Sequence, residues 1–262
     1  MWGFYASIHW SLRWSGRREP CAGYDGLVEA HRHEYLKMQS EIDISIIIPI
    51  FNEEEIILAL WQRLSRVVGT LEGVTEVIFV DDGSSDGSFG LLVNLSVANQ
   101  DVKVIRLSRN FGHQPALTAG IDHAGGRAIV LMDGDLQDSP EAIPRFIEKW
   151  KQGFDVVYAV REKRKESWLK RVAFKTFYRV RNSMCGLKLP LDAGIFSLID
   201  RKVLIAIRQM PERNRYLSGL RTYAGFRQTG ITVEREQRYR GAPKVSIAQL
   251  LKLAFDAIFS FS

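Results

Sequence analysis

The stretch Ile44-Ser45-Ile46-Ile47-Ile48-Pro49-Ile50-Phe51-Asn52 decides the fold class. It carries five isoleucines in seven positions and no polar face, so it reads as a short strand buried on both sides, the kind found in the middle of a parallel sheet. Asn52 then stands as a cap residue before Glu53, Glu54 and Glu55, and Ile56, Ile57, Leu60, Leu64 and Val67 follow at helical spacing. That sequence of signals predicts a helix entered at Asn52 with acids in its first turn.

The same alternation repeats downstream. Val77–Val80 reads as a strand ending in Asp81-Asp82-Gly83-Ser84, and a helix is predicted from Ser88 to Ala98. Val102–Leu107 is a third strand, Gln114–His123 a helix, and Ala128–Met132 a fourth strand ending in Asp133-Gly134-Asp135. Pro140–Gln152 is a helix and Asp155–Val160 a fifth strand. Strands alternating with helices of this length give an α/β fold: a Rossmann-like, mostly parallel sheet with helices on both faces.

Length and composition agree. A chain of 262 residues suits one large α/β domain or two small ones, and 46% hydrophobic with 25% charged residues excludes disorder and collagen-like repeats. Cys21 and Cys185 stand far apart without metal-ligand spacing, which fits a reducing compartment. No run reaches the roughly 18 apolar residues of a membrane span. Residues 1–41 show no sustained period and form an N-terminal extension, in which His31 and His33 read as solvent-facing.

The net charge of +6 is unevenly placed. Arg161–Arg181 carries +7 and Arg227–Lys244 carries +3, leaving −4 for the rest of the chain. Two cationic segments on an otherwise acidic protein seek an anionic partner. They match no nucleic-acid module, so nucleic acid is not expected.

In open parallel sheets ligands bind at the carboxyl ends of the strands. Here those ends deliver Pro49–Glu53, Asp81–Ser84, Arg109-Asn110-Phe111-Gly112 and Asp133–Asp135. Turn formation accounts for any one of these motifs, but not readily for all four. Neither a GxGxxG nor a GxxxxGK[ST] motif is present, so phosphates are not held in a glycine cradle. Asp133-Gly134-Asp135-Leu136-Gln137-Asp138 offers an alternative, because carboxylate oxygens are the ligands that Mg²⁺ and Mn²⁺ prefer.

Taken together, Pro49–Glu53, Val80–Ser84, Arg109–Ala116 and Asp133–Asp138 resemble the family 2 inverting glycosyltransferases of GT-A fold. Within them the chain is most similar to the polyprenyl-phosphate glycosyltransferases, of the dolichol-phosphate mannosyltransferase and bactoprenol glucosyltransferase type. The resemblance runs from about Ile42 to the C-terminus and includes Pro211–Arg215 and Arg238–Lys244. It implies a GT-A domain over 42–244 and an apolar juxtamembrane helix over 245–262. It also implies transfer of a sugar, with inversion, from a nucleotide-sugar donor (a UDP-sugar by likeness to the bacterial branch) to a polyprenyl phosphate, in cell-envelope biogenesis. Pro49, Phe51, Glu53, Phe79 and Asp81 would hold base and ribose, and Asp133, Gly134 and Asp135 would meet the diphosphate and sugar. Asp133, Asp135 and Gln137 would bind Mg²⁺ or Mn²⁺, while Arg161, Arg238 and Lys244 would contact phosphates.

Where relatives place an Asp facing the reacting centre this chain has Ile195, and Asp192 is the nearest carboxylate, so Asp135 and Asp192 are the candidate catalytic acids. The alternative reading is a non-catalytic nucleotide-sugar-binding or scaffolding homologue. Trp168, Leu169, Phe174, Phe177 and Tyr178 interleave with the cations of 161–181 as in an interfacial helix. Relatives continue into transmembrane helices after 245–262, so the expectation for the chain as given is peripheral attachment at the cytoplasmic face of the membrane.

Overall fold

Every residue of Ile44–Ile50 is buried, because the strand they form is central and is covered on both faces. The computed structural model describes residues 7–8, 42–161, 193–210 and 217–233. The basic segment after Arg161, Asp192, Arg238, Lys244 and the apolar stretch 245–262 lie outside the described residues.

The element order is β1 (Ser7–Ile8), β2 (Ile44–Ile50), α1 (Ile57–Val68), β3 (Thr75–Asp81), α2 (Ser88–Ala98), β4 (Val102–Arg106), α3 (His113–His123) and β5 (Ala128–Leu131). A single 3₁₀ turn (Pro140–Ala142) then leads into α4 (Ile143–Lys151), followed by β6 (Val156–Arg161), β7 (Ala193–Asp200), α5 (Arg201–Gln209), α6 (Leu217–Tyr223) and β8 (Gln228–Val233). Among the described residues one sheet holds all the strands, in the order β1-β4-β3-β2-β5-β7-β6-β8. The pairs β4–β3, β3–β2, β2–β5 and β6–β8 are parallel. The two-residue β1 is antiparallel to β4 at the edge, and β7 runs antiparallel between β5 and β6.

Alternation along each strand builds two cores. Ile44, Ile46, Ile48, Val77, Phe79 and Val130 face α1, α2 and α4, packing against Leu60, Leu64, Leu92 and Phe146. Ile47, Ile78, Val80 and Ile129 face α3, α5 and α6, packing against Leu117, Ile121, Val203 and Leu220. A strand covered by helices on both sides needs apolar residues at every position, as the isoleucine run displays.

The α/β, mostly parallel expectation holds, with one local correction. The first helix begins at Ile57, not at Asn52, and has no side-chain cap. Asn52 takes a left-handed φ of 53°, which ends the strand in a turn and sends its side chain to a neighbouring loop.

At the amino-terminal edge of the sheet the buried acid is fully occupied. Glu76 Oε1 accepts from Ser45 Oγ and the Gly125 amide, and Oε2 accepts from Lys103 Nζ at 2.6 Å. This polar cluster ties three strands together, whereas the acids at the carboxyl edge cluster in loops.

Candidate active site

The carboxyl ends of β2, β3, β4 and β5 meet through their loops. The loops after β2 and β3 are laced together. Asn52 N donates to Ser84 Oγ at 2.9 Å, Ser85 N to Asn52 Oδ1 at 2.8 Å, Glu53 N to Ser88 Oγ at 2.9 Å, and Gly87 N to Glu54 Oε2 at 2.9 Å. Seven residues that would otherwise belong to two independent turns therefore form one rigid rim.

Asp81 and Asp82 divide the work at the end of β3. Asp81 is fully buried: Oδ1 accepts the Ser84 amide at 3.1 Å and Oδ2 lies 3.3 Å from Arg106 Nε. Asp82, also buried, turns the other way and accepts the amides of Phe111 at 2.8 Å and Gly112 at 2.9 Å. Burial raises the Asp82 pKa above the ordinary carboxylate value, and the Asp81 charge adds to it, against the pull of the two amides and of His113. Gly83 completes the strap with φ +69°. A Cβ there would stand 2.5 Å from the Arg109 carbonyl carbon, so only glycine lets the two loops close.

The Asp133–Asp138 turn leaves β5 beside β2. Gly134 packs against that strand, and a Cβ on it would meet Ile50 Cδ1 at 2.6 Å and the Pro49 carbonyl oxygen at 3.0 Å. Asp135 Oδ1 accepts the Gln137 amide at 3.1 Å. Leu136 has φ 58° yet is buried, an arrangement unfavourable for a branched side chain and held by the core beneath it. Beyond the turn, Arg63 of α1 grips Glu141 through two bonds of 3.0 and 2.7 Å and also reaches Ser139. The Arg63 bond, foremost, lowers the Glu141 pKa to about 2.

His113, the first residue of α3, brings the fourth strand end into contact with this turn. Its Nε2 stands 2.7 Å from Asp133 Oδ1, with the side chains 44% and 29% exposed. Burial alone would lower the His113 pKa, but the bond to Asp133 and the charges of Asp133, Asp135 and Asp82 outweigh it and hold the imidazole above its ordinary value. The acids after β3 and β5 thus surround one imidazole.

The expected site residues differ in where the fold places them. Phe51, Glu53, Asp133, Asp135 and Gln137 stand partly exposed at this edge. Pro49, Asp81 and Gly134 are buried beneath it as supports. Phe79 is a correction: its ring is fully buried edge-on to Trp61, with centroids 6.4 Å apart, because strand alternation turns it into the core under α1. Arg161 ends β6, paired with Val233. Asp192, Arg238 and Lys244 lie outside the described residues. Ile195 of β7 is partly buried and packs on the α3–α5 core. Sequence reasoning gave no role to Asp82 or His113, although a histidine directly after Gly112 at a helix start was a visible signal.

Among the described residues no group of three or more His, Cys, Asp or Glu side chains is disposed to hold a metal by itself. The turn offers two carboxylates and the amide oxygen of Gln137. Such a hard oxygen set suits Mg²⁺ or Mn²⁺ when phosphate oxygens complete the shell. Among the described residues no helix is long and apolar enough to cross a membrane.

Residues 45–208 match the family model described as Glycosyl transferase family 2. An uncharacterized glycosyltransferase of Synechocystis sp. is 44% identical over 222 residues, covering 84% of this chain and 70% of that protein. A prophage bactoprenol glucosyl transferase homolog of Escherichia coli is 37% identical over 220 residues, covering 84% and 72%. Among solved structures, glucosyl-3-phosphoglycerate synthase from Mycobacterium tuberculosis, in complex with Mn²⁺, UDP and glucosyl-3-phosphoglycerate, superposes with a TM-score of 0.56 at 16% identity, covering 94% of this chain and 85% of that one. A mannosyltransferase from Pyrobaculum calidifontis in complex with GDP-Man and Mn²⁺ gives 0.54 at 19% identity, covering 83% and 68%. The shared architecture is the GT-A fold.

Proposed function

The chain belongs to glycosyl transferase family 2 and is a glycosyltransferase, and from that premise we propose that it moves a sugar from a nucleotide-sugar donor to a polyprenyl phosphate. The observation that carries the donor half is the Asp133–Gln137 turn, held at the carboxyl end of β5 beside the laced loops of β2 and β3. The acceptor half rests on relatives named bactoprenol glucosyl transferase, 36–37% identical over 84% of this chain.

On this reading Phe51 and Glu53 lie along the rim that receives the nucleoside, with Asp81 fixing the turn below. Asp133, Asp135 and Gln137 would hold Mg²⁺ or Mn²⁺, which when bound neutralises charge on the departing nucleoside diphosphate. The nucleophile is a phosphate oxygen of the acceptor attacking the anomeric carbon with inversion. A phosphate monoester with a second pKa near ~6 is already largely dianionic at neutral pH, so the chain needs no strong general base. Its task is to position two anions and to keep water from the anomeric carbon. Arg161, Arg238 and Lys244 are the cations proposed to meet those phosphates, and Asp192 the carboxylate proposed nearest the reacting centre. The basic segment 161–181 and the apolar stretch 245–262 are proposed to hold the domain at the membrane surface, where the lipid acceptor resides.

Incubation with undecaprenyl phosphate, Mn²⁺ and a panel of UDP-, GDP- and dTDP-sugars tests the proposal. A glycolipid is expected from one donor class, UDP-glucose first, and none from any donor overturns it.

A further inference from the structure

The Arg109–Gly112 segment is the one strand-end motif for which the proposed reaction supplies no task, yet it is built with care. Its backbone is gripped from below by Asp82, which spends both carboxylate oxygens on the Phe111 and Gly112 amides, and from the side by Gly83, whose lack of a Cβ permits contact with Arg109. The result is that the first residue of α3 is fixed in space. That residue is His113, and its Nε2 meets Asp133 Oδ1 at 2.7 Å.

We propose that His113 is a positioning residue for Asp133: the strap from Asp82 through Phe111 and Gly112 holds the imidazole so that its Nε2–H fixes the Asp133 carboxylate in the orientation that receives the metal–diphosphate group. The inference rests on the reading that Asp133 belongs to that site. A carboxylate on a turn has two soft torsions, and a donor held by a helix end removes them. The ring is carried on α3, whose Ala116, Leu117 and Ile121 are buried in the core, so it does not follow the turn if the turn moves. Partners that orient a ligating carboxylate in this way typically change metal affinity by about 10–100-fold when removed.

The arrangement also explains the spacing of the segment. Asp82 and Asp133 follow strands that do not touch, β3 and β5, with β2 between them. The loop after β4, which is separated from β5 by both β3 and β2, is the one that reaches across to join them. Removing the imidazole therefore loosens Asp133 without disturbing the sheet, because the bond is partly exposed and no core residue depends on it.

The test is a Mn²⁺ titration followed by the electron paramagnetic resonance signal of free Mn²⁺, in the presence of UDP or GDP, on the wild-type chain, His113→Ala and His113→Gln. His113→Ala is expected to weaken Mn²⁺ uptake by about 10–100-fold. His113→Gln places an amide N–H near the Nε2 position and is expected to restore affinity to within about threefold of wild type, since the hydrogen bond and not the ring is what matters. Without metal or nucleotide both variants unfold within about 2 °C of wild type, as an exposed polar contact implies. Wild-type affinity in His113→Ala, or a His113→Gln as weak as the alanine variant, overturns the inference alone. A wild-type chain that takes up no Mn²⁺ with either nucleotide overturns the site reading along with it.

Discussion

Asn52, at a left-handed φ of 53°, accepts the Ser85 amide on its Oδ1 at 2.8 Å. One residue therefore ends β2 and caps the loop after β3. Asn52→Gly keeps the backbone conformation and loses the side-chain bond, at a cost of about 1 kcal/mol. Asn52→Ala loses the bond and adds left-handed strain of about 1–2 kcal/mol. Urea unfolding is expected to order the three as wild type, Gly, Ala; an alanine variant as stable as the glycine variant contradicts the role assigned to φ.

Gly83 gives a sharper case, because a Cβ would strike backbone and not a flexible side chain. Gly83→Ala is expected to cost about 2–4 kcal/mol from strain and overpacking combined. It is also expected to separate the β3 and β4 loops, seen as faster hydrogen exchange at the Phe111 and Gly112 amides. Unchanged exchange there contradicts the strap.

Leu136 sets two effects against each other, since its side chain is buried while its φ is 58°. Leu136→Ala removes the burial, about 2–5 kcal/mol, and keeps the strain. Leu136→Gly removes both. Thermal unfolding is expected to find the glycine variant more stable than the alanine variant by about 1 kcal/mol, the reverse of the usual helix or strand ranking.

The Arg63–Glu141 clamp predicts a pH dependence. The folded pKa of Glu141, about 2, lies below the ordinary carboxylate value of 4.5, so its contribution is fully present above pH 4.5 and fades as pH falls toward the folded value. The carboxylate side chain is 51% exposed, which limits the effect to less than about 1 kcal/mol. The stability gap between wild type and Glu141→Gln is expected to be narrower at pH 3 than at pH 6, and an equal gap at both contradicts the pairing.

Much of the scaffold is legible in the sequence, for physical reasons. Ile44–Ile50 declares a central strand because burial on two faces leaves no polar position, and the strand-end carboxylates are readable because ligands gather at that edge. The direction of β7 is not readable: Ala193–Asp200 has the same pattern whichever way it runs, and only its register with β5 and β6 decides. Asn52 misleads as a cap, since its side chain serves a loop 33 residues away. Phe79 misleads because the resemblance assigns it to the nucleoside, while alternation along β3 turns its ring into the core. Asp82 and His113 escape notice for a related reason. Their partners lie 29 and 20 residues away, and only the fold brings them together.

The most direct measurement is transfer of labelled sugar from a nucleotide sugar into organic-extractable undecaprenyl phosphate, run with Mn²⁺, with a chelator, and with Asp135→Ala. Labelled lipid is predicted from the wild-type chain with Mn²⁺, falling at least about 100-fold in the variant and to background with the chelator. Transfer that survives both the chelator and the loss of Asp135 contradicts the account.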